Sequence, residues 1–349
     1  MAYTTIDDPS AHFQTKIYTG NGGALAVTND GNSNLQPDLA WFKKRGASES
    51  HALFDTNRGI DRFLISSSTA VEQHQPTNGN TDADDIASFD SDGFTFQGGG
   101  GAINQSSNTY VAWQWKCNAG TTSTNSDGTV NTTMQLNSTA GFSIIKWTGA
   151  GNNTSTAGHG LGAIPDCIIV KNREDAQNWS VAFPKFETSK LMSLNTDAAF
   201  SSASGLSSYN SSTFVDGSGG SSEDYIAYCF KPIQGYSKFS KYTGNGNTDG
   251  PFVYTGFKPA WLMIKRSDSA NSWYLVDGTR GSSNVISAEL EANNDGAEAT
   301  GNVRLDILSN GYKIRTSGAA YNASGGTYVY MAFAENPFVS SEGVPTTAR

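Results

Sequence analysis

The chain has 349 residues, 16% charged and 37% apolar, with a net charge of −9 and 38 glycines. So little charge excludes a highly charged disordered chain, and the acidic balance excludes a general phosphate-binding surface, so nucleic acid is not an expected partner. No stretch approaches the roughly 18 consecutive apolar residues of a membrane span, and the start lacks the basic and apolar regions of a secretory signal. A soluble chain without membrane insertion is expected.

Residues 1–11 read as an N-terminal arm or anchor. The motif Tyr18-Thr-Gly-Asn-Gly22 follows, and it returns as Trp147-Thr-Gly-Ala-Gly151 and Tyr242-Thr-Gly-Asn-Gly246. From the aromatic residue of each copy it is 17 to 19 residues to a proline, Pro37, Pro165 or Pro259, and six more to a lysine, Lys43, Lys171 or Lys265. Both faces of the intervening segment are apolar, as in Leu39/Trp41 against Ala40/Phe42, which predicts a doubly covered strand. Proline has no N–H to donate and belongs at the strand's entrance, while the lysine at its far end is expected to reach solvent.

Next come strand candidates over Ser50 to Asp55 and Ser272 to Asp277, each ending in Asp-x-x-Arg-Gly; the second copy has Trp179-Ser-Val-Ala-Phe183 here and loses the arginine. Ser91-Asp-Gly and Ser309-Asn-Gly precede alternating runs, the sequence form of a tight hairpin. Each unit closes on a strand: Tyr110-Val-Ala-Trp-Gln-Trp115, Tyr225-Ile-Ala-Tyr-Cys-Phe230 or Tyr328-Val-Tyr-Met-Ala-Phe333. Val111/Trp113/Trp115, Ile226/Tyr228/Phe230 and Val329/Met331/Phe333 share its large apolar face.

The expected fold is therefore all-β, with three tandem related β-sandwich domains, jelly-roll or Ig-like, at 12–117, 141–234 and 235–338. Residues 118–140 read as a polar linker about which the first domain pivots, and 339–349 as a C-terminal tail.

Chemistry-bearing residues are sparse. His159 in Gly158-His-Gly-Leu-Gly162 lacks the spacing of a phosphate-cradling loop. His12, His51 and His74 show no metal-ligand spacing, and His51 aligns with Trp273, which favours packing. Asp82, Asp84, Asp85, Asp90 and Asp92 read as a solvated loop rather than a calcium site. Cys117, Cys167 and Cys229 read as reduced, buried thiols. No nucleophile elbow or carboxylate pair stands out, so no enzymatic activity, cofactor or metal is expected. Tyr209, Tyr254 and Tyr321, least tied to the framework, are weak candidates for sugar binding.

The opening Ala2 to Gly22, the Pro37-to-Lys43 strand, Phe54-Asp-Thr-Asn-Arg-Gly59 and Tyr110-Val-Ala-Trp-Gln-Trp-Lys116 together resemble an uncharacterised repeat domain in virion proteins of tailed bacteriophages, many from marine hosts. The resemblance spans nearly the whole chain; departures are the missing Arg-Gly in the second unit and Ala334 where the other units have Lys116 and Lys231. It implies a virion structural protein made in the host cytoplasm, a tail fibre or tail-associated appendage contributing to host attachment. The alternatives are a capsid decoration or head-fibre protein held by its N-terminal arm, and a carbohydrate-binding or carbohydrate-active protein at the host surface. Implied partners are other virion proteins, further copies of the chain, with a trimer favoured, and a host glycan. Any specific activity is expected where the copies differ: the acidic loop, 118–140, and the variable turns of the third unit.

Overall fold

The computed structural model describes residues 2–74, 86–202, 205–216 and 222–346. Asp82, Asp84 and Asp85 lie outside them. The described chain is nearly all β, built from several antiparallel sheets.

Each repeat contributes one large sheet with the same central order. The first runs Phe13–Thr19, Thr109–Trp115, Leu39–Lys44, Ala52–Asp55, Gly59–Leu64, Gln73–His74. In the third the order is Ser237–Thr243, Thr327–Pro337, Phe257–Arg266, Trp273–Asp277, Leu290–Glu291. The second repeats this pattern with Phe142–Thr148, Asp224–Phe230, Cys167–Asn172, Ser180–Ala182, Lys190–Ser193 and Ser201–Ser202. Its free edge is extended by Ser123–Asn125 and Thr132–Asn137. The segment expected as a polar linker is thus two strands of this sheet. Its sparse apolar residues suffice because Thr132 and Gln135 are buried with their polar groups bonded, Thr132 to the Gly158 carbonyl and Gln135 to Thr56.

The strand that closes each repeat lies in the middle of its sheet, between the opening strand and the strand after the proline. Pro37 and Pro165 precede their strands, as expected. Pro259 instead sits inside Phe257–Arg266, where the pairing shifts register on both sides of it. A residue without an N–H can occupy a strand interior only where the ladder is interrupted.

Both faces of these central strands are buried, against different things. Five equivalent positions per repeat enter one common core: Leu39, Trp41, Val111, Trp113 and Trp115, then Cys167, Ile169, Ile226, Tyr228 and Phe230, and finally Trp261, Met263, Val329, Met331 and Phe333. The opposite faces enter three separate outer cores. There Tyr110 and Ala112, Tyr225 and Ala227, or Tyr328 and Tyr330 pack beneath a smaller sheet of the same repeat. The small sheets are Leu25–Thr28, Gly93–Phe96, Ile86–Asp90 in the first repeat and Phe252–Tyr254, Gly311–Ile314, Leu305–Leu308 in the third; the second has only Thr156–Gly158 with Thr213–Val215. Two of them contain the hairpins expected at Ser91-Asp-Gly and Ser309-Asn-Gly. Gly93 and Gly311 cannot be replaced there, since a Cβ would lie 2.0 Å from the Val27 carbonyl oxygen and 2.1 Å from that of Val253.

The repeats therefore share an axial core in addition to the outer core that each closes for itself. Residues 2–11 also belong to this body: Ile6 enters the axial core, and the Thr4 hydroxyl donates to the Gln234 carbonyl at 2.8 Å. The Asp7 carboxylate accepts from the backbone and hydroxyl of Ser341. The arm and the described part of the expected tail, 339–346, are thus docked on the body, because each carries groups that can be buried or paired there.

Candidate functional site

The three seams where one repeat meets the next hold most of the buried charge. The lysines expected to reach solvent are instead fully buried there. Each Nζ donates to the following carbonyl, Lys43 to Lys44 at 2.8 Å, Lys171 to Asn172 at 2.8 Å and Lys265 to Arg266 at 2.6 Å. Lys171 also reaches the Thr69 carbonyl of the first repeat, and Lys265 the Asp197 carbonyl of the second. Lys43 faces the equivalent Asp295 of the third, whose charge supports its own. Burial lowers all three pKa values to about 8.

A second layer follows the same cycle. Trp179 Nε1 donates to the Ile65 carbonyl at 2.9 Å, and Trp273 Nε1 to that of Ser193 at 2.9 Å. His51 fills the corresponding place with Nε2 3.0 Å from the Glu291 carbonyl, while its Nδ1 accepts from Trp41 Nε1 at 2.8 Å. Those partners fix the Nε2–H tautomer. Burial, then the charge of Lys43, pushes the imidazole pKa down to about 3, so the ring is neutral. First repeat to second, second to third, third back to first: the contacts close a ring.

Two seams add an ionic chain. At the first, Asp55 pairs with Arg58 at 2.5 Å, Arg58 with Glu72 at 3.2 Å, and Glu72 with Arg173 of the second repeat at 2.8 Å. Tyr228 also donates to Asp55 at 2.7 Å. Where the third repeat meets the first, the chain is Asp277, Arg280, Glu298 and Arg45, with Trp113 Nε1 on Asp277 at 3.0 Å. Burial opposes the charge on Glu72, yet Arg173, Arg58 and Arg62 hold its pKa down to about 2.

The seam between the second and third repeats abandons this set completely. Continuing the pairing of Ile168 with Ala182 by one residue brings Phe183 to Cys167, the place where Asp55 stands opposite Leu39 and Asp277 opposite Trp261. By the same spacing Phe186 replaces the arginine, Ser267 the second arginine and Met331 the Trp/Tyr donor. Phe200, whose N–H bonds the Ser267 carbonyl, replaces the glutamate, whose counterparts bond the Arg173 and Arg45 carbonyls.

Equivalent surface clefts open beside two seams. One of about 350 Å³, at the second-to-third seam, is lined by Phe186, Phe200, Lys241, Ser267 and Asp268, among others. The other, about 340 Å³ at the first-to-second seam, is lined by Arg58, Arg62, Lys146, Arg173 and Asp224, with Asn131, Thr133, Trp147 and Thr148. Asn131 and Thr133 come from the segment expected to be a linker. Lys146 Nζ donates to the Asn57 carbonyl at 2.6 Å, and its pKa is lowered by burial and by Arg173.

The three tyrosines expected to bind sugar are not brought together. Tyr321 is fully buried, bonded to Glu289 and packed 5.0 Å from the Tyr274 ring, so it is a core residue and not a binding one. Tyr209 is half-buried against the second outer core, its hydroxyl on the Leu206 carbonyl at 2.8 Å. Tyr254 alone is well exposed, at 47%, beside Phe252 at 46% on an edge strand, and its hydroxyl lies 3.1 Å from that of Tyr3. His159 is buried, Nε2 3.2 Å from the Asn210 carbonyl, and all three cysteines are buried and free. Asp90 and Asp92 are engaged locally, with Ser88 and Thr95 and with the Leu35 N–H. Among the described residues no group of three or more His, Cys, Asp or Glu could hold a metal ion. The seam glutamates escaped sequence reasoning because they lie outside the repeated motifs; the paired loss of the Arg-Gly motif in the second repeat was the visible trace.

One family model, described as a domain of unknown function (DUF7483), matches residues 8–337. The chain belongs to this family. A single match across all three repeats accords with their shared core. No curated protein and no solved structure matches the chain.

Proposed function

We propose that the chain is a non-enzymatic structural component of a bacteriophage virion, a tail fibre or tail-associated appendage that contributes to host contact. The observation that carries this reading is the use made of its ionisable groups. Lys43, Lys171, Lys265, Arg58, Arg280, Glu72 and Glu298 hold one repeat to the next. Such an investment favours mechanical integrity over turnover, as an appendage exposed outside the cell requires. The sequence resemblance to phage virion repeat domains supports the same reading.

We infer further that each repeat is a β-sandwich unit, its large and small sheets enclosing an outer core, and that three such units are fused about the axis. That closed cycle supplies within one chain what a trimer supplies between chains, so homo-oligomerisation is a separate question for light scattering. Placement on the head, as a capsid decoration protein held by its N-terminal arm, is less favoured because Tyr3, Thr4 and Ile6 are already engaged by Gly256, by Gln234 and by the axial core. Antibody against the chain, applied to intact particles and viewed by electron microscopy, tests the proposal. Label on the tail is expected; label on the head overturns the tail assignment, and unlabelled particles overturn the virion assignment.

A further inference from the structure

We propose that the edge strand Phe13–Thr19 of the first repeat's large sheet receives an antiparallel strand from another protein, an uncharged extended arm with an amide side chain opposite Thr15. Only one side of Phe13–Thr19 is paired within the sheet. The Lys116 N–H donates to the His12 carbonyl at 3.0 Å and the Gly20 N–H to that of Asn108 at 2.8 Å, so the even-numbered residues bond Thr109–Trp115. Phe13, Thr15 and Ile17 therefore turn their N–H and C=O groups away from the sheet. Among the described residues nothing bonds those backbone groups.

The second repeat shows what such an edge takes. Its counterparts of Phe13, Thr15 and Ile17 are Phe142, Ile144 and Lys146, which pair with Asn137, Gln135 and Thr133 of the strand Thr132–Asn137. That strand is held in the first-to-second seam by the first repeat. Asn57 Nδ2 donates to the Thr133 carbonyl at 3.0 Å, Asn137 Nδ2 donates to the Lys116 carbonyl at 3.2 Å, and Gln135 bonds Thr56, itself anchored on Asp38. Where the third repeat meets the first, the same place is a cleft of about 170 Å³. Phe13 and Thr15 line one side of it; Ala260, Thr279, Ala334 and Glu335, the counterparts of Asp38, Asn57, Lys116 and Cys117, line the other. The chain's own strand fills one seam and leaves the other open.

The chemistry of the occupant follows from the groups it would meet. Thr15 Oγ1 is buried without a hydrogen-bond partner. A residue directly opposite Thr15 on an added strand shares its face, so an amide side chain there, placed as Gln135 is opposite Ile144, can answer that hydroxyl. The carboxylates of the cleft are already paired, Glu335 with Lys258 at 2.6 Å and Asp30 with Lys16 at 3.0 Å, which favours an uncharged arm. Flanked by the third repeat, the edge suits a single strand better than the edge of a second folded sheet. Main-chain hydrogen bonds then supply affinity, and alternate side chains supply specificity.

Fluorescence anisotropy of a labelled peptide with the sequence of residues 130–139, titrated with the purified full chain, tests the proposal. The peptide should bind, and Thr15→Pro should weaken it about tenfold, the effect of one lost hydrogen bond. The variant keeps its fold, since proline is accepted at an edge position whose N–H faces away from the ladder, and a thermal melt checks this. Methylating the peptide's backbone nitrogen at the Gln135 position should weaken binding as much without altering the protein. Hydrogen exchange should slow in 13–19 and not in 142–148. No binding at millimolar peptide, undiminished binding in Thr15→Pro or by the methylated peptide, or protection at 142–148 instead overturns the site. A wild type that dimerises where Thr15→Pro stays monomeric assigns the edge to a second copy and overturns the arm. No particle enters the experiment, so its outcome is independent of where the chain sits on a virion.

Discussion

Replacing Glu72 by glutamine tests whether the repeats form one cooperative body. Glu72 is 9% exposed and is the shared acceptor of Arg58, Arg62 and Arg173. Removing one member of a buried ionic set costs about 3 to 5 kcal/mol, because the remaining charges stay buried without compensation. With an unfolding entropy of about 2.1 cal/mol/K per residue, a 349-residue body melting as a unit should lose about 4 °C for a 3 kcal/mol penalty. A repeat melting alone, at about a third of that length, would lose roughly 12 °C. Scanning calorimetry should therefore show one transition, displaced by a few degrees. A split transition, one part moved by more than ten degrees and the rest unmoved, would refute the shared-core reasoning. The acid limb offers a second reading. Since the folded pKa of Glu72 is held down to about 2 from 4.5, its contribution is complete above pH 4.5 and fades as pH falls toward 2. After allowance for solvent screening this amounts to about 2 kcal/mol. Wild type and Glu72→Gln should thus converge in stability across that window.

His51→Gln should remove a different acid sensitivity. The folded imidazole pKa is pushed down to about 3 from 6.5, so below pH 6.5 the unfolded chain takes up a proton that the native chain refuses, and stability falls as pH approaches 3. Urea melts at pH 7 and pH 5 should show a smaller drop in the variant; an identical drop would place the sensitivity elsewhere. The three seam lysines act at the alkaline side. Their folded pKa values of about 8, against 10.5, mean that the unfolded chain holds more protons between these limits, so stability should rise with pH from 8 toward 10.5. Each lysine contributes at most about 1.4 kcal/mol per pH unit, and Lys43→Met, Lys171→Met or Lys265→Met should each remove about a third of the slope between pH 8 and 9.5. A slope unchanged by all three variants would contradict their burial.

Much of the strand framework was legible because it rests on local rules: alternation in Tyr110 to Trp115, the Asn-Gly and Asp-Gly turns, and the two-sided apolar run after each proline. What the large faces pack against was not legible. A face bearing Trp113 and Trp115 looks the same whether it meets a sheet of its own domain or two other repeats. The lysines were misplaced for a related reason. A lysine ending an apolar strand ordinarily emerges into water, and only the loops carrying Thr69, Asp197 and Asp295 from a neighbouring repeat bury it. The linker was misread because Thr132 and Gln135 are polar residues that become buried once Gly158 and Thr56 satisfy them. Tyr321 looked free of the framework, since its acidic partner, Glu289, lies 32 residues away.

The two kinds of seam explain why the second repeat departs from the others. Asp, Arg, Glu, a second Arg and an indole or phenol donor form one connected set, in which each buried charge is tolerable only while its neighbours remain. Losing Arg58 alone would leave the buried Asp55 carboxylate with a neutral hydroxyl, that of Tyr228, as its remaining side-chain donor and no cation beside it. A seam can therefore carry the four charges with their ring donor or none of them, and Phe183, Phe186, Phe200, Ser267 and Met331 are the version with none. Intermediate compositions are penalised, so the departure in the second repeat's Arg-Gly motif entails changes in the third, at Ser267 and Met331, far away in sequence.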